Sequence, residues 1–215
     1  MSIYAEKSEG EYKTVNPGMY VARCISMIEI GTIKEKFQDQ EKTLQKVMIR
    51  WELPTEKTVF DPVKGEEPFS VSKKYTLSMH EKSTLRKDLE SWRGRGFTEA
   101  EAQKFDITKL LGVPCNLNII HKPSQLNPGR TMTIISSISP LMKGQTCPDQ
   151  INPTKVLSYD NFNWDLFNSL SDYTKDLIKS SVEFQMMQEP SLVRDHETGN
   201  DEINDYDGHS DGLPF

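Results

Sequence analysis

Phe69-Ser70-Val71-Ser72-Lys73-Lys74-Tyr75-Thr76-Leu77-Ser78-Met79, followed by Leu85, Leu89 and Trp92, is the stretch on which the fold turns. Val71, Lys73, Tyr75, Leu77 and Met79 fall on one side, and Ser70, Ser72, Lys74, Thr76 and Ser78 on the other. A period of two is that of a half-buried strand. Beyond Met79 the period lengthens. Leu85, Leu89 and Trp92 recur at i, i+4 and i+7, one face of an α-helix. Ser78-Met79-His80-Glu81 reads as a capping box ahead of that helix, and Gly94 and Gly96 close it.

Working upstream, Met19 to Ile30 reads as a first strand after the turn at Asn16-Pro17-Gly18. Gly31 to Gln45 reads as a long polar connection. Lys46 to Leu53 is a second strand, with Val47, Ile49, Trp51 and Leu53 alternating with Met48, Arg50 and Glu52. Pro54 stops it, and residues 55–67 form a loop. Downstream, Thr98-Glu99-Ala100-Glu101 is a capping box opening a short helix to about Phe105, with one further turn at Ile107 to Leu111. Pro114 to His121 and Thr131 to Ser139 are a fourth and a fifth strand. A Pro-rich linker follows, and a helix starting at Asn163 or Asp165 runs to about Ser180. The order is strand, strand, strand, helix, strand, strand. The fold class is therefore mainly β (α+β): a five-stranded OB-fold barrel, whose helix sits between strands three and four. The expected organisation is an N-terminal arm (1–17), the barrel (18–140), a linker (141–162), a C-terminal helical region (163–188) and an acidic tail (189–215).

The length of 215 residues suits one domain with appendages, and 35% hydrophobic residues suffice for one core. No long apolar run predicts a membrane span, and no basic-then-apolar start predicts a signal peptide, so a cytoplasmic protein is expected. Cys24, Cys115 and Cys147 are odd in number and far apart, and His80, His121, His196 and His209 are scattered. Neither set has ligand spacing, so no metal site is expected; reduced thiols are, with Cys24 and Cys115 as small core residues. Phosphate-loop, dinucleotide, nucleophile-elbow and zinc-protease motifs are all missing, so neither an enzyme nor a cofactor is expected.

The net charge of −6 is unevenly placed. Asp195, Glu197, Asp201, Glu202, Asp205, Asp207 and Asp211 lie in the last stretch, which holds no Lys or Arg. The body before residue 195 keeps 26 cations against 25 acids, close to neutral. So acidic a segment cannot bury enough apolar surface to offset its ordering entropy, and disorder is expected. Yet it ends on Asp211-Gly212-Leu213-Pro214-Phe215. A terminal carboxylate beside a Phe ring is a two-part ligand for an apolar pocket with a basic rim. This ending resembles that of bacterial single-stranded DNA-binding proteins, which close on Asp-Asp-Ile-Pro-Phe. Gly212 and Leu213 depart from the pattern, and one charge is missing. The resemblance makes Asp211, Leu213, Pro214 and Phe215 the expected partner-binding residues.

Single-strand binding needs cations that track phosphates and rings on which bases stack. In an OB barrel these lie on strands two and three and on the loops joining strands one to two and four to five. The candidates are Lys34, Lys36, Phe37 and Lys42 in the first connection; Lys46, Arg50 and Trp51; Lys73, Lys74 and Tyr75; and Lys122 and Arg130. Trp51 alternates with core residues and reads more as core than as platform, while Tyr75 is balanced between the two. Phe37, flanked by charges, is the best stacking candidate. Trp92 reads as core, and Arg93 and Arg95 as solvated cations at a helix end or as contacts for phosphate or the tail tip.

The body also resembles phage and prophage-encoded replication-associated proteins over about residues 15–145. The resemblance rests on Val21-Ala22-Arg23-Cys24, Lys46 to Leu53, Lys74 to Ser78, and Leu85 to Arg95. It implies a protein that coats single-stranded DNA in the host cytoplasm during phage replication or recombination. Its tail would recruit a polymerase, helicase, primase or nuclease, and a second copy of the chain is a further candidate partner. A protein-interaction adaptor without nucleic-acid binding and a strand-annealing recombination protein are the competing readings.

Overall fold

The alternation at 46–53 and 69–76 is realised as neighbouring strands, while Leu77–Met79, expected to continue the second of them, lie beyond its end at Thr76. The computed structural model describes residues 13–37, 40–124 and 131–188, with residues 36 and 37 described by backbone alone. Five long strands, β1 (Gly18–Phe37), β2 (Gln40–Asp61), β3 (Gly65–Thr76), β4 (Pro114–Pro123) and β5 (Thr131–Ser139), form one antiparallel sheet. Its order is β3-β2-β1-β4-β5, and it curls into a half-barrel that brings β3 and β5 near each other. A short β6 (Lys155–Leu157) adds to β1 in parallel at Ser26–Ile28, past the end of the β4 pairing at Arg23. The helices are α1 (Thr84–Arg93), α2 (Glu99–Gln103), α3 (Trp164–Asn168), α4 (Asp172–Lys179) and α5 (Val182–Gln188), with a 3-10 turn at Ile107–Leu110. None is long and apolar enough to cross a membrane.

The concave side holds the main core. Val47, Ile49, Trp51 and Leu53 of β2 meet Val71 and Tyr75 of β3, and Leu117, Ile119, Ile135 and Ile138 of β4 and β5. Helix α1 plugs the curl with Leu85, Leu89 and Trp92. The Trp51 and Trp92 rings lie 5.7 Å apart, and Trp92 Nε1 donates to the Pro114 carbonyl at 3.1 Å. Each such ring buries enough apolar surface to dominate the local energetics. Cys24 and Cys115 are fully buried in this core as free thiols, and burial raises the Cys24 thiol to about 12.

Helix α1 begins five residues later than the capping box at Ser78 suggested. Ser83 is the N-cap and accepts from the Arg86 amide, while Ser78 accepts from His80 in the preceding turn. The true cap lacks an acidic residue at the third helical position, so the Ser78–Glu81 pattern was the misleading one. Gly94 ends the helix at φ 68°, and the Thr98–Glu101 capping box forms as read.

Three further expectations are corrected. The polar connection 31–45 is a two-stranded ribbon, since β1 and β2 stay paired out to Phe37 and Gln40. Pro54 does not stop β2; it sits at a break in the β2–β3 register between Leu53 and Lys57, where a missing N–H is tolerated. The single helix expected from 163 to 180 is broken at Ser169–Ser171. Ser171 caps α4, and Ser181 Oγ accepts the Phe184 amide to turn the chain into α5.

The convex side of β1 and β2 is covered as well. Ile28, Ile30, Ile33 and Met48 pack against Leu157, Phe167, Ile178 and Phe184, a second core built with β6 and the C-terminal helices. Gly31 makes this approach possible. Its φ is +93°, and a Cβ there would lie 2.7–2.8 Å from Glu183, Ser181 and Tyr159. The residues expected to form a linker therefore wrap the sheet. Glu29 accepts the Tyr159 amide at 3.0 Å, and Glu183 accepts from the Thr32 amide and hydroxyl. The Arg23 guanidinium donates to the Gly112, Cys147 and Pro148 carbonyls.

Candidate nucleic-acid interface

Strand alternation aims Lys46, Met48, Arg50 and Glu52 of β2 away from the barrel interior. The register sets Lys74 opposite Met48, Ser72 opposite Arg50 and Ser70 opposite Glu52. This convex face carries Lys46, Arg50 and Lys74 of the expected nucleic-acid contacts, and the C-terminal wrap has divided it. Glu52 is fully buried beneath residues 151 and 152. Its carboxylate accepts from the Ile151 amide at 2.8 Å, and from the Asn152 amide and side chain at 2.9 Å each. Met48 lies under the second core. Arg50 remains half-buried at the edge of the covered area, and Lys74 is exposed beyond it.

The other candidates separate by burial. Lys34 and Lys42 are exposed on the β1–β2 ribbon, opposite Thr43 and Glu35 respectively. Lys36 and Phe37 belong to the same ribbon by backbone, paired with Glu41 and Gln40, and their side chains lie outside the described residues. Lys46 is buried, held by Glu35 at 2.8 Å and the Thr76 hydroxyl at 3.1 Å, so its charge is spent within the fold. Trp51 is fully buried between β3 and α1 and offers no face to a base. Tyr75 is likewise core, and its hydroxyl donates to Asp88 at 2.8 Å. Burial, and then the Asp88 carboxylate, push that phenol far above its ordinary range. Lys73 shares the same carboxylate at 2.6 Å. Both residues lie on the concave side of β3, where the strand period places them. Lys122 is exposed near the end of β4. Arg130 and the tail residues Asp211, Leu213, Pro214 and Phe215 lie outside the described residues.

Arg93 and Arg95 are engaged within the fold. Both reach Glu101, at 3.0 and 2.8 Å, and Arg93 lies 4.0 Å over the Phe97 ring. Arg95, the Thr98 backbone and Arg93 hold the Glu101 carboxyl down to about 2. Among the described residues no cluster of His, Cys, Asp and Glu is placed to hold a metal ion.

The sequence reading missed a cleft of about 370 Å³ on the convex face. One wall is the outer surface of β1–β3, with Ser26, Arg50 and Ser70. The other comes from the C-terminal wrap, with Asn152, Lys155 and the α3–α4 junction. Phe60 stands at this cleft with 47% of its surface exposed, fixed edge-on against Phe69 at 5.1 Å. It was overlooked because Pro54 was taken as the end of β2. The run of β-branched and aromatic residues Thr58-Val59-Phe60 just beyond that proline was the available signal. Lys155 carried none, since β6 is three residues long and set in a Pro-rich stretch.

Comparison with protein-family models, with curated proteins and with solved structures gave no match to this chain.

Proposed function

We propose that this protein is a five-stranded OB barrel that binds single-stranded DNA on the convex face of β1–β3, and that its acidic C-terminal end recruits replication or recombination proteins. The observation that carries the reading is the strand order β3-β2-β1-β4-β5, with α1 lying between β3 and β4 in the chain and filling the curl. That order supports an OB barrel, whose ligand face is formed by strands two and three and the neighbouring loops. Exposed cations stand around the same region. Lys34 and Lys42 lie on the β1–β2 ribbon, Lys74 on β3 and Lys122 on the β4–β5 hairpin. Arg50 and Phe60 line the cleft on the convex face. Cations that follow a backbone, joined to a rigid exposed ring, are what sequence-tolerant binding of an unpaired strand requires.

Titration of a labelled oligo-dT of about 30 nucleotides by anisotropy, at low and moderate salt and beside duplex DNA of equal length, tests the reading. Binding that prefers the single strand and weakens steeply with salt is expected, because phosphate neutralisation releases counterions. Absence of binding to either would overturn it and leave a protein-interaction adaptor as the function.

A further inference from the structure

The cleft on the convex face is built jointly by the barrel and the C-terminal wrap, and we propose that it is a subsite for one nucleotide of an unpaired strand. The proposal rests on the single-strand reading and gives residues 152–171 a part in it: they form one wall of the site rather than only packing on the barrel. At about 370 Å³ the cleft falls within the range of small-ligand sites.

Its chemistry favours a nucleotide over a bare anion or an apolar ligand. The Phe60 ring is half exposed yet held by Phe69, so stacking a base on it costs little side-chain entropy. Arg50 comes from the sheet side and Lys155 from the wrap side, a pair of cations suited to the phosphate. Glu67 also lines the cleft. A carboxylate there disfavours a lone phosphate and accepts from an N–H on the edge of a base, the N3–H of thymine or uracil included. Ser70 lies exposed on β3 within the cleft, opposite Glu52 in the register, and supplies a hydroxyl of either hydrogen-bonding sense.

Two variants of the full chain probe the site at exposed positions, Ser70 and Phe60. Ser70→Trp fills the cleft from an exposed strand position, and Phe60→Ala removes the ring. Both are to be titrated against labelled oligo-dT and oligo-rU of about 15 nucleotides, after thermal melts confirm wild-type folding. A loss of about tenfold or more in affinity for oligo-dT is expected from each, the size of one lost stacking contact. A parallel loss with oligo-rU assigns the cleft to single strands of either sugar, and a loss confined to oligo-dT makes it DNA-selective; both support the subsite. Wild-type binding of oligo-dT with both variants within twofold of it would overturn the subsite and leave the barrel reading standing. No wild-type binding to either strand would overturn the two together.

Discussion

Removing the Glu52 carboxylate should release the strap around Ile151 and Asn152 from the sheet, while Arg23 still holds Cys147 and Pro148. Glu52 is fully buried, and among the described residues its carboxylate meets no cation, only three N–H donors, at 2.8, 2.9 and 2.9 Å. Hydrogen bonds to a charged group contribute about 1.5–3 kcal/mol each. They do not sum in full: the exposed end of the strap rehydrates once released, and the variant no longer buries a carboxylate. A net loss of about 2–4 kcal/mol for Glu52→Ala follows. For a chain of this size that lowers the melting temperature by roughly 5–15 °C. Glu52→Gln keeps one acceptor oxygen but sets an amide NH₂ against a donor, so it should lose about half as much. Circular-dichroism melts of both variants give the stability. Amide hydrogen exchange at Ile151 and Asn152 gives the location, since these protons should exchange faster in Glu52→Ala. Melting within 1 °C of wild type, with exchange at both amides unchanged, would refute the carboxylate as the anchor.

Four other outcomes are expected. Replacing Lys34 and Lys42 by Ala should weaken oligo-dT binding across sequences and flatten the salt slope by about one unit per lost phosphate contact, read from titrations at four salt concentrations; an unchanged slope removes the ribbon from the interface. On the single-strand reading, deleting residues 195–215, which removes seven tethered acids that would compete with DNA at high effective concentration, should raise oligo-dT affinity in the same titrations, most at low salt. Glu101 is held to about 2 in the folded chain, well below the 4.5 of an unperturbed glutamate. Its depressed carboxyl therefore contributes stability above pH 4.5 that is lost as pH falls toward 2, and Glu101→Gln should lose less stability than wild type between pH 5 and pH 3 in urea titrations. Gly31→Ala combines a strained φ with contacts under 3 Å; it should destabilise by about 2–4 kcal/mol, with proteolysis of residues 155–188 preceding cleavage of the barrel.

The five long strands, the helix between the third and fourth, and the concave core were legible in the sequence because each is written in neighbouring residues. Val47, Ile49, Trp51 and Leu53 repeat with the strand's period, and Leu85, Leu89 and Trp92 with the helix's, so backbone geometry alone sorts them to one side. The same rule fails wherever the deciding partner is distant. Trp51 and Glu52 are adjacent and point to opposite faces, yet both are fully buried: Trp51 by the curl of the sheet, Glu52 by residues about a hundred positions later. Lys46 and Tyr75, candidates for ligand contact by sequence, are spent on Glu35 and Asp88, pairings that exist only once β1 and β2 are in register and α1 has packed on β3. The cleft belongs to the same class, since Phe60 and Lys155 meet only when the C-terminal segment crosses the sheet. Local period determined which face of each strand the chain buries first. Only tertiary structure decided what covers the second face, because covering it depends on where a remote segment ends up rather than on any spacing the strand itself carries.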